Sequence, residues 1–262
     1  MSSFRPSILR EPRWILAIVV AGVLVVGFVR LGLWQLDRLE QRRASNALIE
    51  LRESEPPRPL EALLSQYGTD PENLIYRQAI VTGRYRTVDE FFSVGRRFDD
   101  VSGTMVLTPF ELADGSTMIV VRGLVPTDTP GPPAHGYAPP SGVVAVVGRI
   151  DDGEEPLRIG EPDPDDGVLR SISRVDLEYI DTWLDGGVLP ISLTVSEQVP
   201  SVGEDQLFLV PREELSEGRH LGYAVQWFAF AIIVAVGVAV LIRRSGSSDI
   251  TEQVDPEPAR HE

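Results

Sequence analysis

The sequence contains no cysteine, no lysine and only three histidines in 262 residues. Without cysteine there is no disulfide, no thiolate metal centre, no cysteine nucleophile and no C-x-x-C-H attachment for a covalent haem. Three histidines make a multi-histidine metal centre a poor reading. Positive charge is scarce too, with 24 basic side chains against 39 acidic ones and a net charge of -15. Such a chain repels the phosphates of nucleic acid, so no nucleic-acid partner is expected.

What the sequence has instead is apolar length in two places. Trp14–Val29 and Leu221–Ile242 carry no charged residue. About 20 apolar residues cross roughly 30 Å of hydrocarbon. The second run meets that length and stops at Arg243-Arg244. The first meets it once Leu31–Trp34 are added, since Arg30 near its end can reach the headgroups. No small-x-small cleavage site follows, which argues against a removed signal peptide. Two spans put both chain ends on one side of a bilayer. Arg5, Arg10, Arg13, Arg243 and Arg244 flank the outer ends, which the positive-inside rule makes cytoplasmic.

The expected order is therefore a cytoplasmic stretch at 1–13, a span at 14–34, an extracytoplasmic domain at 35–220, a span at 221–242 and a polar, disordered cytoplasmic tail at 243–262. After Trp34 the absence of Pro and Gly up to Pro56 predicts that the first helix continues out of the membrane. A short helix is expected over Pro59–Gln66. Strands are expected at Ile75–Tyr85, Glu90–Arg96, Thr104–Phe110, Thr117–Val125, Val143–Ile150, Val168–Ser173, Ile191–Val195 and Gln206–Val210. Asp114-Gly115 between two β-rich runs is a hairpin signal. Asp176–Leu184 reads as a helix stopped by Gly186-Gly187. The fold class is membrane α+β, with two transmembrane helices flanking an antiparallel sheet or barrel-like domain that carries a few helices. Pro126–Pro140, with six prolines, and the acidic Asp151–Gly167 are loops.

Candidate chemistry is sparse. Glu161–Gly167 has carboxylates but not the ligand spacing of a calcium loop, and reads as a solvated acidic loop. His135 lies in the Pro-rich loop without a G-x-S-x-G elbow to serve, and His261 lies in the tail. No bond-making constellation is visible, so the chain does not read as an enzyme. His220 stands apart, at the start of the second span. At 100° per residue, His220, Tyr223, Trp227 and Phe230 form one stripe with Gln226 on its flank. An imidazole heading an aromatic stripe suits haem, with Arg219 and Arg30 level with its propionates. The alternative is an interfacial aromatic belt. Trp34-Gln35 lies at the same surface and comes near His220 if the helices pack.

Four separated motifs resemble the Surfeit-locus family of cytochrome c oxidase assembly proteins. Gly32-Leu33-Trp34-Gln35-Leu36-Asp37-Arg38 resembles its G-x-W-Q-x-x-R, and Gly83-Arg84-Tyr85 its G-x-[FY] strand. Thr108-Pro109-Phe110, Gly115 and Val121-Arg122-Gly123 resemble its T-P-F…G…x-R-G hairpin. His220–Phe228 resembles its H-x-x-Y-A-x-x-W-F. Leu124 stands where the family usually has Trp, and Gly218-Arg219 where Asn often precedes the His. The resemblance implies a two-pass cell-membrane protein of respiratory-chain biogenesis, a chaperone rather than an enzyme. It would aid delivery of transiently bound haem a to subunit I of cytochrome c oxidase. His220 would be the iron ligand, and Tyr223, Trp227, Arg219, Arg30 and Trp34 would line the cofactor. Subunit I, the haem a synthase and the lipid bilayer are the implied partners. Two alternatives are a scaffold that docks on subunit I or the synthase without carrying haem, and a membrane-tethered sensor domain.

Overall fold

A computed structural model describes residues 12–98, 101–155, 169–184, 187–201, 207–212 and 215–248. The chain divides into two compact units, one made by the segments up to Ala47 and from Leu215, the other by Leu48–Glu214.

The first unit is a helix pair. Helix α1 runs Pro12–Ser54, 43 residues. It stops where Pro56-Pro57 removes backbone donors and disfavours the α region before it. The last helix, α5, runs His220–Ser248 and so continues past Arg243-Arg244. Both are long and apolar enough to cross a membrane. Their apolar side chains are largely uncovered, Leu16 at 64%, Val23 at 67% and Ile233 at 64% exposure, which is the pattern of helices solvated by lipid rather than of a water-soluble core. A series of covered positions runs along α1 through Ala21, Val25, Phe28, Gly32, Gln35 and Leu39 and along α5 through His220, Ala224, Trp227, Ala231, Val234 and Val238, with Leu36 and Phe228 partly covered beside them. Both series alternate steps of four and three residues, the spacing of a left-handed helix pair. A Cβ at Gly32 would lie 2.7 Å from the ring of Phe228, so a larger residue there would force that ring to shift.

The second unit is a sheet with short helices. Its elements are β1 (Arg58–Pro59), α2 (Leu60–Tyr67), α3 (Pro71–Leu74), β2 (Gln78–Tyr85), β3 (Phe91–Phe98), β4 (Val101–Leu112), β5 (Thr117–Val125), β6 (Val144–Asp151), β7 (Ser171–Ile172), α4 (Leu177–Trp183) and β8 (Val188–Val199). The strand order is β1-β2-β6-β8-β5-β4-β3-β7, and β2 also pairs with β4, so the pairings β2-β6-β8-β5-β4 return to β2. The Asp114-Gly115 turn closes the β4–β5 hairpin, with Gly115 at φ +86° and the Asp114 carboxylate accepting from Ser116 N–H at 2.9 Å. All nine residues of β5 are buried, because one side faces a core under α2 (Leu60, Leu63, Val81, Phe110, Val146, Leu193) and the other a core under α4 (Phe91, Leu107, Ile119, Ile172, Leu177, Ile180).

The sheet corrects the antiparallel expectation. It is mixed: β5 pairs with β8 in parallel, as do β1 with β2 and β3 with β7. A parallel neighbour needs a crossover; between β5 and β8 the chain spends β6, β7 and α4, which supplies one. Two strand expectations shrink. Among the described residues of Val168–Ser173 only Ser171–Ile172 form a strand, and among those of Gln206–Val210 only Phe208 pairs, bridging Leu124. Helix α4 ends at Trp183, ahead of the expected glycine stop. The acidic motif Glu161–Gly167, His261 and the carboxy-terminal tail beyond Ser248 lie outside the described residues.

The last turns of α1 belong to the second unit and are tied to it by charge. Glu53 accepts from Arg149 at 3.2 Å and faces Arg212 at 3.6 Å. Arg52 donates to the carbonyls of Glu72 and Ile75 at 2.9 and 3.1 Å. Glu55 pairs with Arg77, which stacks over the Tyr67 ring at 3.9 Å. Asp151 pairs with Arg149 at 2.8 Å and accepts from Thr194 at 2.7 Å, yet burial still pushes its carboxyl above the usual carboxylate range.

Candidate ligand site at the head of the helix pair

The turn that enters α5 is held by side chains of α1. Arg42 and Asn46 both donate to the carbonyl of Ser216, each at 3.3 Å. Arg43 gives two N–H groups to the Glu217 carboxylate at 2.9 and 2.8 Å, the fork geometry that guanidinium favours. Gly218 then takes φ +70°, a conformation that L side chains rarely adopt, and its N–H donates to Ser216 Oγ at 3.0 Å. This arrangement sets where α5 begins, and His220 is its first residue.

His220 faces Gln35 across the pair, Nδ1 to Oε1 at 2.9 Å. An amide oxygen only accepts, so in this pair Nδ1 donates, which leaves Nε2 as the nitrogen available to a ligand. A Cβ built at Gly218 would approach Nε2 at 3.4 Å, so the glycine keeps that side of the ring uncrowded. About two turns further on, Trp227 stacks on Phe28 with centroids 5.7 Å apart, while Phe230 meets Trp227 edgewise at 5.9 Å and lies tilted to Phe28 at 5.7 Å. The donor set is one imidazole nitrogen at the polar end of an apolar helix pair, with an aromatic cluster about 10 Å further along the axis. That composition fits a flat apolar macrocycle bearing a metal that one nitrogen can ligate.

The predicted residues do not all gather there. Gln35 rather than its neighbour Trp34 meets the imidazole; Trp34 is 52% exposed on another face of α1. Tyr223 is 47% exposed, because Ala224 and not Tyr223 continues the covered series from His220. Arg219 is exposed beside the imidazole, whereas Arg30 lies five residues from Gln35, about 7.5 Å along the axis at 1.5 Å per residue. His135 is exposed in its loop.

A second polar cluster was not expected from the sequence. Glu90, just before β3, is buried in the sheet unit and accepts from Thr108 Oγ1 at 2.8 Å, Arg122 at 2.8 Å and the Ala134 N–H at 2.7 Å. Arg122 also donates to the Tyr137 carbonyl and lies 5.6 Å from the Tyr85 ring centroid. The Pro-rich loop, which forms no strand, is thus strapped to the sheet at Ala134 and Tyr137. Burial depresses the Arg122 guanidinium against the pull of Glu90, and burial raises the Tyr85 phenol above its ordinary range. With every polar atom matched, the cluster reads as architecture rather than a binding site. Near α4 a cleft of about 530 Å³ is lined by Glu154, Glu155, Asp176 and Asp181. Three of these carboxylates are engaged: Glu154 by Arg96, Asp176 by the Tyr179 N–H and Asp181 by the Val188 N–H. Among the described residues no group of three histidines or carboxylates is placed to hold a metal ion.

The family profile described as the SURF1 family matches residues 22–232. The chain belongs to the SURF1 family. An uncharacterized SURF1-like protein of Mycobacterium tuberculosis is 27% identical over 243 residues, covering 89% of this chain and 85% of that one. A SURF1-like protein of Monosiga brevicollis is 25% identical over 234 residues, covering 83% and 84%. Surfeit locus protein 1 of the rat is 30% identical over 138 residues, covering 46% of this chain and 43% of its own.

The SURF1 motif residues divide by task. Gly32, Gln35, His220, Trp227 and Phe228 make the seam of the helix pair. Thr108 and Arg122 satisfy Glu90, and Tyr85 packs edgewise on Phe110 at 4.8 Å. Gly83 lets β2 cross β4, since a Cβ there would sit 2.1 Å from the Glu111 carbonyl oxygen. Gly123, at φ +148°, lets Phe208 reach Leu124.

Proposed function

We propose that this chain is an assembly factor of cytochrome c oxidase that holds haem a at the head of its helix pair. It is a member of a family of oxidase assembly factors; the cofactor, the direct partners and the sidedness are this proposal's own. The observation that carries it is the His220–Gln35 pair, which engages Nδ1 and leaves Nε2 of the imidazole for a ligand at the polar end of the two helices. When bound, haem a would supply the iron that takes this lone pair and the flat ring that aromatic side chains contact. His220 would bind, Gln35 would orient, Trp227 and Phe28 would floor the site, and Arg219 would lie at the level of the propionates. A single protein ligand would suit handover to subunit I of the oxidase, with the haem a synthase as donor.

In this reading α1 and α5 span the cell membrane with both ends cytoplasmic and the acidic sheet unit outside, as Arg243 and Arg244 beyond the second apolar run favour. Protease added to spheroplasts should cleave the sheet unit; an intact unit would reverse the orientation. For the cofactor, the full chain purified from cells that make haem a should carry it, with its absorption spectrum, and His220→Ala should not. Equal haem in both preparations would sink the ligand assignment. A His220→Ala chain that still restored oxidase assembly without haem would favour a docking scaffold instead.

A further inference from the structure

We propose that Gln35 is a positioning residue that sets both the tautomer and the donor strength of His220; this rests on the reading of His220 as the iron ligand. The geometry is specific. Gln35 is the only amide on the covered face of α1 between Ala21 and Leu39, and its oxygen lies 2.9 Å from Nδ1. The bond fixes the proton on Nδ1, so Nε2 is always the ligating atom and the ring cannot turn its other nitrogen to a metal. The ring orientation is fixed at the same time, since Gly218 leaves Nε2 clear while Gln35 holds the opposite edge.

The kind of acceptor matters as much as its presence. A carboxylate in this place would form a charge-assisted bond, draw the Nδ1 proton towards itself and make Nε2 a stronger donor, most of all to ferric iron. A neutral amide polarises the ring less. Gln35 therefore holds the imidazole in register while keeping it a moderate ligand, which is the combination a carrier needs if its guest is to leave. The seam around the pair is otherwise apolar; of the charged residues near it in sequence, Asp37, Arg38 and Arg219 are exposed and Arg43 is paired with Glu217.

The test uses the full chain in detergent with haem b as probe, comparing Gln35→Leu, Gln35→Glu and His220→Ala by titration, absorption spectrum and redox midpoint. Circular dichroism checks that each variant keeps its helices. Gln35→Leu should weaken binding about tenfold or more and alter the spectrum. Gln35→Glu should restore binding and favour the ferric over the ferrous form by about tenfold, a fall of about 59 mV for one electron. If His220→Ala abolishes binding while Gln35→Leu binds with the parent affinity and spectrum, the positioning role is overturned and the ligand reading stands. If Gln35→Glu leaves the midpoint unchanged, the tuning of donor strength is overturned. If His220→Ala binds as the parent does, the ligand reading fails and takes this inference with it.

Discussion

Glu90 and Arg122 meet at 2.8 Å with side chains only 2% and 4% exposed, and each is fully matched by a second layer of partners. Thr108 and the Ala134 N–H complete the carboxylate; the Tyr137 carbonyl takes the other arm of the guanidinium. The pair ties strands β4 and β5 to the loop that leaves β5.

Removing one member should therefore cost far more than a surface ion pair. Glu90→Ala leaves a buried guanidinium without its counter-charge, a loss of about 3–5 kcal/mol. Thermal unfolding of the full chain in detergent, followed by near-ultraviolet circular dichroism, should show it. A melting curve like that of the parent would contradict the buried role.

Gly83→Ala should be more damaging than its single methyl suggests. The new Cβ would fall 2.1 Å from a backbone oxygen and 2.7 Å from the Phe110 ring, and backbone cannot step aside as a side-chain tip can. The expected outcome is loss of soluble, folded protein on extraction. Gly131→Ala is the control, because nothing lies within 4 Å of its built Cβ.

Gly32→Leu should separate the helix pair without unfolding either helix, since its Cβ would enter the Phe228 ring. The cysteine-free background makes this simple to read. Cysteines placed at Asn46 and Ser216, whose groups meet at 3.3 Å, should be joined by a short bismaleimide in the parent and much less in Gly32→Leu. Equal yields would mean that the seam does not depend on Gly32.

Glu154 gives a pH signature. Burial alone would raise its carboxyl, but Arg96 and the Val175 N–H outweigh this and hold it below its ordinary value. A carboxyl depressed on folding adds stability that is present above its unfolded value, about pH 4, and is lost as pH falls through the lower folded value. The acid-induced fall of the melting temperature should be shallower in Glu154→Gln, which lacks this titration. An identical acid limb in both proteins would remove Glu154 from the account.

Local chemistry made parts of this molecule legible. The apolar runs announced two helices long and apolar enough to cross a membrane, the stretch without Pro or Gly after Trp34 announced a long α1, and Asp114-Gly115 announced the hairpin. Long-range pairing was not legible. Nothing near Glu90 in sequence names Arg122, 32 residues away, as its partner, and a run of β-branched residues does not say whether β8 lies parallel to β5. At the helix pair, an ideal wheel of 100° per residue predicts a stripe of His220, Tyr223, Trp227 and Phe230. The actual contact alternates steps of four and three, which carries the seam through Ala224 and leaves Tyr223 outside. Gln35 was visible beside Trp34, but which of two adjacent side chains turns inward depends on the register of the facing helix.

The alternating steps make the stretch from His220 to Val238 intolerant of changes in length. Inserting one residue between His220 and Ala224 would swing the imidazole about 100° around α5 relative to Trp227, out of reach of Gln35. Deleting one would turn it by the same angle the other way, whereas an insertion of a whole seven-residue repeat would bring the ring back to within about 20° of the facing helix. The Pro-rich segment between β5 and β6 is anchored at only two points, so extra residues at its Gly131 bend should pass almost unnoticed. Homologues should thus vary freely in the length of that strap and hardly at all in the count of residues at the head of the last helix.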